Sequence, residues 1–97
     1  MIDSSLMIKY IQEVIVLVKI LTVDDEEVIL DVLKAYFEKE GWDIISASNG
    51  IDAIKRAKEH KPDLIILDLM LPDISGEEVC RLIRKDSDVP IIMLTAK

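Results

Sequence analysis

Apolar residues along the 97-residue chain fall into short runs that alternate with stretches of helical spacing. "KILTV" from Lys19 is a continuous apolar run ending in the acidic pair Asp24 and Asp25, which predicts a buried strand. Val28, Ile29, Val32, Leu33, Tyr36 and Phe37 then recur at helical spacing, and Gly41 stands where a helix usually stops. "WDIISAS" predicts a second strand, with Asn49-Gly50 as a turn signal. Ile51, Ile54 and Ala57 mark one face of a second helix that must end before Pro62. "DLIILDL" predicts a third strand. Ser75 and Glu78 form a capping box for a third helix carrying Val79, Leu82 and Ile83. "VPIIMLTA" predicts a fourth strand.

Strand and helix alternating through short connections imply an α/β fold: a parallel sheet with right-handed crossovers and helices on both faces. Ligands bind such sheets beyond the carboxyl ends of the strands, where strand order reverses. Asp24 and Asp25 follow the first strand and Asp68 ends the third. If those strands are neighbours, three carboxylates meet at one sheet edge. Taken singly, each acid reads as a turn or helix-start residue. Together they repel, and the usual remedies are a raised pKa or a bound cation. Oxygen-only ligands without His or Cys favour a hard ion such as Mg2+. A carboxylate beside such an ion is a competent nucleophile toward phosphorus, which makes Asp68 a candidate phosphoacceptor. Metal-dependent phosphatase chemistry would want a second acid two residues after the nucleophile, and Met70 stands there instead.

Composition narrows the function classes. Lys and Arg total 12 against 19 Asp and Glu, a net charge of -7, and no arginine-rich or aromatic-basic patch occurs, which argues against direct nucleic-acid binding. "VIVLVKILTV" from Val14 is interrupted by Lys19 and falls short of the roughly 18 to 20 apolar residues a membrane span needs. Neither a basic opening region nor a small-residue cleavage site surrounds it. The single cysteine, Cys80, has no partner for an internal disulfide and suits a reducing, cytoplasmic setting.

"KILTVDDEE", "SNG", "DLIILDLMLPDISG" and "VPIIMLTA", in this order and spacing, resemble the receiver domain of two-component response regulators over residues 19–97. The resemblance implies a flavodoxin-like fold and a signalling module rather than an enzyme acting on other substrates. It implies that a histidine kinase phosphorylates Asp68, and that Asp24 and Asp25 bind Mg2+, with Asp25 the direct ligand. It further implies that the backbone carbonyl of Met70 completes the metal site, that Thr95 is the switch hydroxyl that moves to the phosphoryl group, and that Pro72 and Gly76 shape the loop after the phosphoacceptor. Glu26, Val28 and Ile29 lie where a kinase would dock.

A complete receiver runs on past the Thr-Ala pair into a fourth helix, a fifth strand and a fifth helix, which carry a phosphoryl-pairing lysine and a switch aromatic. Lys97 follows Thr95 too closely to stand in for that lysine. The sequence is thus expected to hold a truncated receiver with an open fourth strand. Residues 1–18 are an extra segment: Leu6, Met7, Tyr10, Ile11 and Val14 describe an amphipathic helix with Asp3, Ser4 or Ser5 as N-cap, and the first strand is expected to extend back to Ile15. This segment would either cover the chain's own sheet or reach across to a second copy in an intertwined or swapped homodimer. The alternative function is a receiver-derived oligomerisation scaffold with a vestigial acidic site.

Overall fold

The computed structural model describes residues 3–9 and 18–94. Strands β1 (Lys19–Val23), β2 (Asp43–Ala47), β3 (Leu64–Asp68) and β4 (Ile91–Leu94) alternate with helices α1 (Glu27–Glu38), α2 (Gly50–His60) and α3 (Gly76–Arg84). The sheet order is β2-β1-β3-β4, with every pairing parallel. This is the flavodoxin-like arrangement, and strand order reverses between β1 and β3. Val23 lies level with Ala47 on one side and Leu67 on the other, so β1 and β3 end side by side.

The two central strands are apolar on both faces because both are covered. On one face Leu21, Val23, Ile65 and Leu67 pack with Ala53 of α2 and with Val79 and Ile83 of α3. On the other, Ile20, Thr22 and Ile66 are buried, as is Leu30 of α1. Toward β4 the cover thins, and the adjacent residues Ile92 and Met93 are both exposed.

Chain punctuation follows the sequence, with corrections. Gly41 adopts a positive φ of 83° and Lys61, a residue that rarely does so, a φ of 47° just before Pro62. Asn49-Gly50 is not a free turn: Asn49 is the N-cap of α2 and accepts the Asp52 N–H at 2.8 Å, while Gly50 is the first helical residue. Half of the expected capping box forms. The Ser75 hydroxyl accepts the Glu78 N–H at 3.2 Å, but the Glu78 carboxylate turns to the Arg81 guanidinium at 2.9 Å. Ile51 points to solvent rather than to the core, where Ala53 is buried in its place. Likewise Val28, Val32 and Tyr36 of α1 are exposed, and Leu30 is the helix's buried residue.

Residues 4–9 are helical, and the Asp3 carboxylate caps them by accepting the Leu6 N–H at 2.9 Å. Leu6, Met7 and Ile8 remain more than half exposed. β1 starts at Lys19, with Val18 outside the strand. Tyr10, Ile11, Val14 and the expected strand extension from Ile15 lie outside the described residues, as do Thr95 and Lys97.

Candidate functional site

Two loops leave the carboxyl edge of the sheet at its switch point. The first, residues 24–26, directly follows β1. Asp24 continues the strand ladder by donating its N–H to the Ala47 carbonyl at 3.2 Å, and its Oδ1 accepts the Glu26 N–H at 2.9 Å, which turns the chain into α1. Asp25 is left exposed at the rim. Asp68, the last residue of β3, lies alongside because β1 and β3 are paired in register.

Carboxylate oxygens of Asp24, Asp25 and Asp68 all lie within 4.8 Å of one another. Asp24 is 1% and Asp68 2% exposed, so two of the three acids are held in the protein interior. Burial of like charges at this spacing is costly without a cation. The donor set is all oxygen, which fits a hard divalent ion better than a transition metal. Asp25, Glu26, Met70 and Pro72 at the rim, with the buried Asp68, border an open cleft of about 310 Å³.

The second loop, residues 69–75, carries the chain from Asp68 to α3. Asp68 Oδ1 accepts the Met70 N–H at 3.2 Å. Gly76 closes the loop by donating its N–H to the Leu69 carbonyl at 2.9 Å. Any larger residue at 76 would collide with backbone, since a Cβ there would stand 2.4 Å from the Asp68 carbonyl oxygen and 2.8 Å from the Leu69 Cα. Pro72 is exposed on the crest of the loop.

Asp73 was not singled out by sequence reasoning, yet it ties this loop to α2. Its Oδ1 accepts the Gly50 N–H at 2.7 Å and its Oδ2 the Ile51 N–H at 2.9 Å. The Gly50 bond above all, with the Ile51 bond, holds the Asp73 carboxyl below its ordinary value. An acid after a proline in a loop reads as a turn residue, and its partners are 22 and 23 residues away. No local pattern signals such a bond.

The structure therefore brings together Asp24, Asp25, Asp68, Met70, Pro72 and Gly76, while Thr95 lies outside the described residues. Of the expected docking residues, Glu26 and Val28 are exposed and Ile29 is half-buried.

Comparison with known proteins places this geometry. The sequence pattern of the response regulator receiver domain matches residues 20–97. The alkaline phosphatase synthesis transcriptional regulatory protein PhoP of Bacillus subtilis is 52% identical over 80 residues, which is 81% of this chain and 33% of PhoP. The chain thus spans about a third of the length of that curated relative. Among solved structures, a chain in the crystal structure of histidine kinase ThkA in complex with response regulator protein TrrA is 46% identical, with a TM-score of 0.76. That match covers 81% of this chain and 69% of the other. The chemotaxis response regulator CheY4 of Vibrio cholerae is 30% identical with a TM-score of 0.79, covering 82% of this chain and 69% of CheY4.

Proposed function

The chain belongs to the response regulator receiver domain family, and from that premise we propose that it accepts a phosphoryl group on Asp68 from a histidine kinase in a magnesium-dependent step of two-component signal transduction. The observation that carries this reading is the buried Asp68 at the end of β3, with carboxylate oxygens of Asp24 and Asp25 within 4.8 Å. Asp24, Asp25 and Asp68 would hold the ion, with the Met70 carbonyl completing the site and Asp25 as direct ligand. Bound magnesium would supply neutralisation of charge on the phosphoryl oxygens.

The chain's own part in the transfer is positioning and nucleophilic attack. An Asp68 carboxylate oxygen forms the new P–O bond while the P–N bond of the phosphohistidine breaks and its electron pair returns to the imidazole, which takes up a proton. The in-register ends of β1 and β3 hold the carboxylates at a fixed separation. By the family resemblance, Thr95 would supply the hydroxyl that senses the group. The phosphoryl group ends on the chain itself, so no separate substrate is turned over.

A kinase surface is available beside the site. Val28, Val32 and Tyr36 are 72%, 62% and 65% exposed at successive turns of α1, an apolar stripe that starts at the acidic rim. The solved complex of a 46% identical regulator's structure with a histidine kinase supports the choice of partner. Among the described residues, no helix is long and apolar enough to cross a membrane, and the half-buried free thiol of Cys80 fits a reducing cytoplasm.

Incubation with magnesium and a small-molecule phosphodonor, read by intact mass, tests the reading. One added phosphoryl group is expected, absent without magnesium and absent in Asp68→Asn. An equal gain in Asp68→Asn would move the acceptor elsewhere. Exposed apolar side chains on the N-terminal helix (Leu6, Met7, Ile8) and on β4 (Ile92, Met93) further support association with a second copy of the chain, expected as a dimer in sedimentation at micromolar concentration. A monomer under those conditions would remove the homodimer and leave the phosphoryl chemistry untouched.

A further inference from the structure

We propose that Asp73 is a positioning residue for the phosphorylation site, acting through the loop that bears Met70; the inference rests on the function proposed above. Residues 69–75 leave a buried strand end and run over the sheet edge to α3, with Leu71 and Ile74 half-buried against the core. Gly76 fixes the base of this loop against the Asp68 and Leu69 backbone. Above the base, Met70 and Pro72 are exposed, and the Met70 N–H bond to Asp68 is a long 3.2 Å. Leu71 packs on the core, but apolar packing is non-directional, so these contacts do not by themselves set the direction of the Met70 carbonyl.

Asp73 provides a directional anchor. Both of its oxygens accept adjacent backbone N–H groups of the first turn of α2, at 2.7 and 2.9 Å. Charge-assisted bonds of this kind are about twice as strong as neutral ones, and the helix N-terminus favours the negative charge. The next residue, Ile74, stands over Gly50, where a Cβ would meet its Cγ1 at 2.5 Å, so the loop sits directly on the helix. Through fully buried Ala53, α2 is part of the core. The crest is thereby tied to the core by a route that avoids the strand it came from.

α2 has a cap of its own in Asn49, which takes the Asp52 N–H. Asp73 therefore adds to the helix what the helix partly has, and gives the loop a directional tie beside the apolar packing of Leu71 and Ile74. Magnesium demands near-octahedral geometry, so displacement of a carbonyl ligand registers as lost affinity even when every carboxylate is in place.

Calorimetric titration of the full chain with magnesium chloride, comparing Asp73→Ala, Asp73→Asn and Asn49→Ala, tests this. Asn49→Ala removes a hydrogen bond from the same helix terminus without touching the loop. Asp73→Ala is expected to weaken magnesium binding roughly tenfold, as loss of a supporting residue does at metal sites. Asp73→Asn, which keeps one acceptor oxygen, weakens it less, and Asn49→Ala leaves it unchanged. The loss in Asp73→Ala should persist at roughly 0.5 M salt, where a charge acting through solvent is screened. Without metal, amide exchange at Met70 and Leu71 should quicken in Asp73→Ala and not in Asn49→Ala.

Unchanged affinity in both Asp73 variants overturns this inference and leaves the functional reading standing. So does an equal loss in Asn49→Ala, which would make the effect one of α2 stability. An unaltered chain that binds no magnesium overturns the functional reading instead; unchanged amide exchange in Asp73→Ala would then overturn the positioning role separately.

Discussion

The two loops that meet at the acidic site are held in place by opposite means. Residues 24–26 are short and stay on the strand ladder: Asp24 is its last rung, donating to the Ala47 carbonyl of β2, and its side chain bonds two residues ahead. Residues 69–75 are longer, and their crest is held by a residue that reaches a helix 22 and 23 positions upstream. A loop of a few residues inherits its position from the strand it follows. A longer one needs a fastening from elsewhere, because each further residue adds conformational freedom that must be removed on folding. The difference separates roles as well. The short loop supplies charge and little else, whereas the long loop starts from the buried Asp68 carboxylate and is built around geometry.

The strongest test of that contrast is Gly76→Ala. With backbone at 2.4 and 2.8 Å from the new Cβ, the base of the long loop must shift, and a loss of about 3 kcal/mol is expected in urea unfolding, the upper range for overpacking. A loss below about 0.5 kcal/mol, the range of ordinary surface changes, would show that the loop base yields freely. On the short loop, Asp25→Asn is expected to leave stability within about 0.5 kcal/mol, because the side chain is exposed. The same change should weaken magnesium binding roughly tenfold. A stability loss as large as that of Gly76→Ala would mean that the exposed Asp25 side chain holds the short loop in place.

The smallest effect is the acid sensitivity of the fastening. The Asp73 carboxyl is held below its ordinary value by the Gly50 and Ile51 N–H groups, so its contribution to stability is fully present above the unfolded-state value, about pH 4. It is lost as pH falls through the depressed folded-state value. Urea midpoints followed downward through this window should fall more steeply for the unaltered chain than for Asp73→Asn. Parallel curves would remove the carboxylate's charge from the account of the loop.

How much of this was legible in the sequence follows the same division. The strands and their acidic ends could be read because each is local: a run of apolar residues, an acid at its end and a short connection; the meeting of Asp24, Asp25 and Asp68 hung on the first and third strands being neighbours, which they are. Asp73 could not, since both of its partners are backbone groups that any sequence would offer at positions 50 and 51. Periodicity also overstated the core. Val28, Val32, Tyr36 and Ile51 fit the helical stripe yet face solvent, because a stripe marks where burial is possible and the sheet's width decides how much of it is used. Asn49-Gly50 carries the composition of a turn and was read as one. Its other meaning, a cap followed by a residue small enough to pass beneath Ile74 and Val79, depends on what lies above it.

Trp42, the chain's one tryptophan, stacks on Phe37 with ring centroids 5.6 Å apart, and Phe37 meets Tyr36 edge-on at 5.7 Å. This aromatic group joins the last turn of α1, which holds Tyr36 and Phe37, to Trp42 just before β2, at the opposite edge of the sheet from the carboxylates. A helix of this length spans about 18 Å, too far for a bound ion to alter indole emission directly. The molecule thus carries a built-in optical reporter that is blind to site occupancy and responsive to unfolding. Emission that shifts during a metal titration would be the signature of a rearrangement carried along the whole of α1.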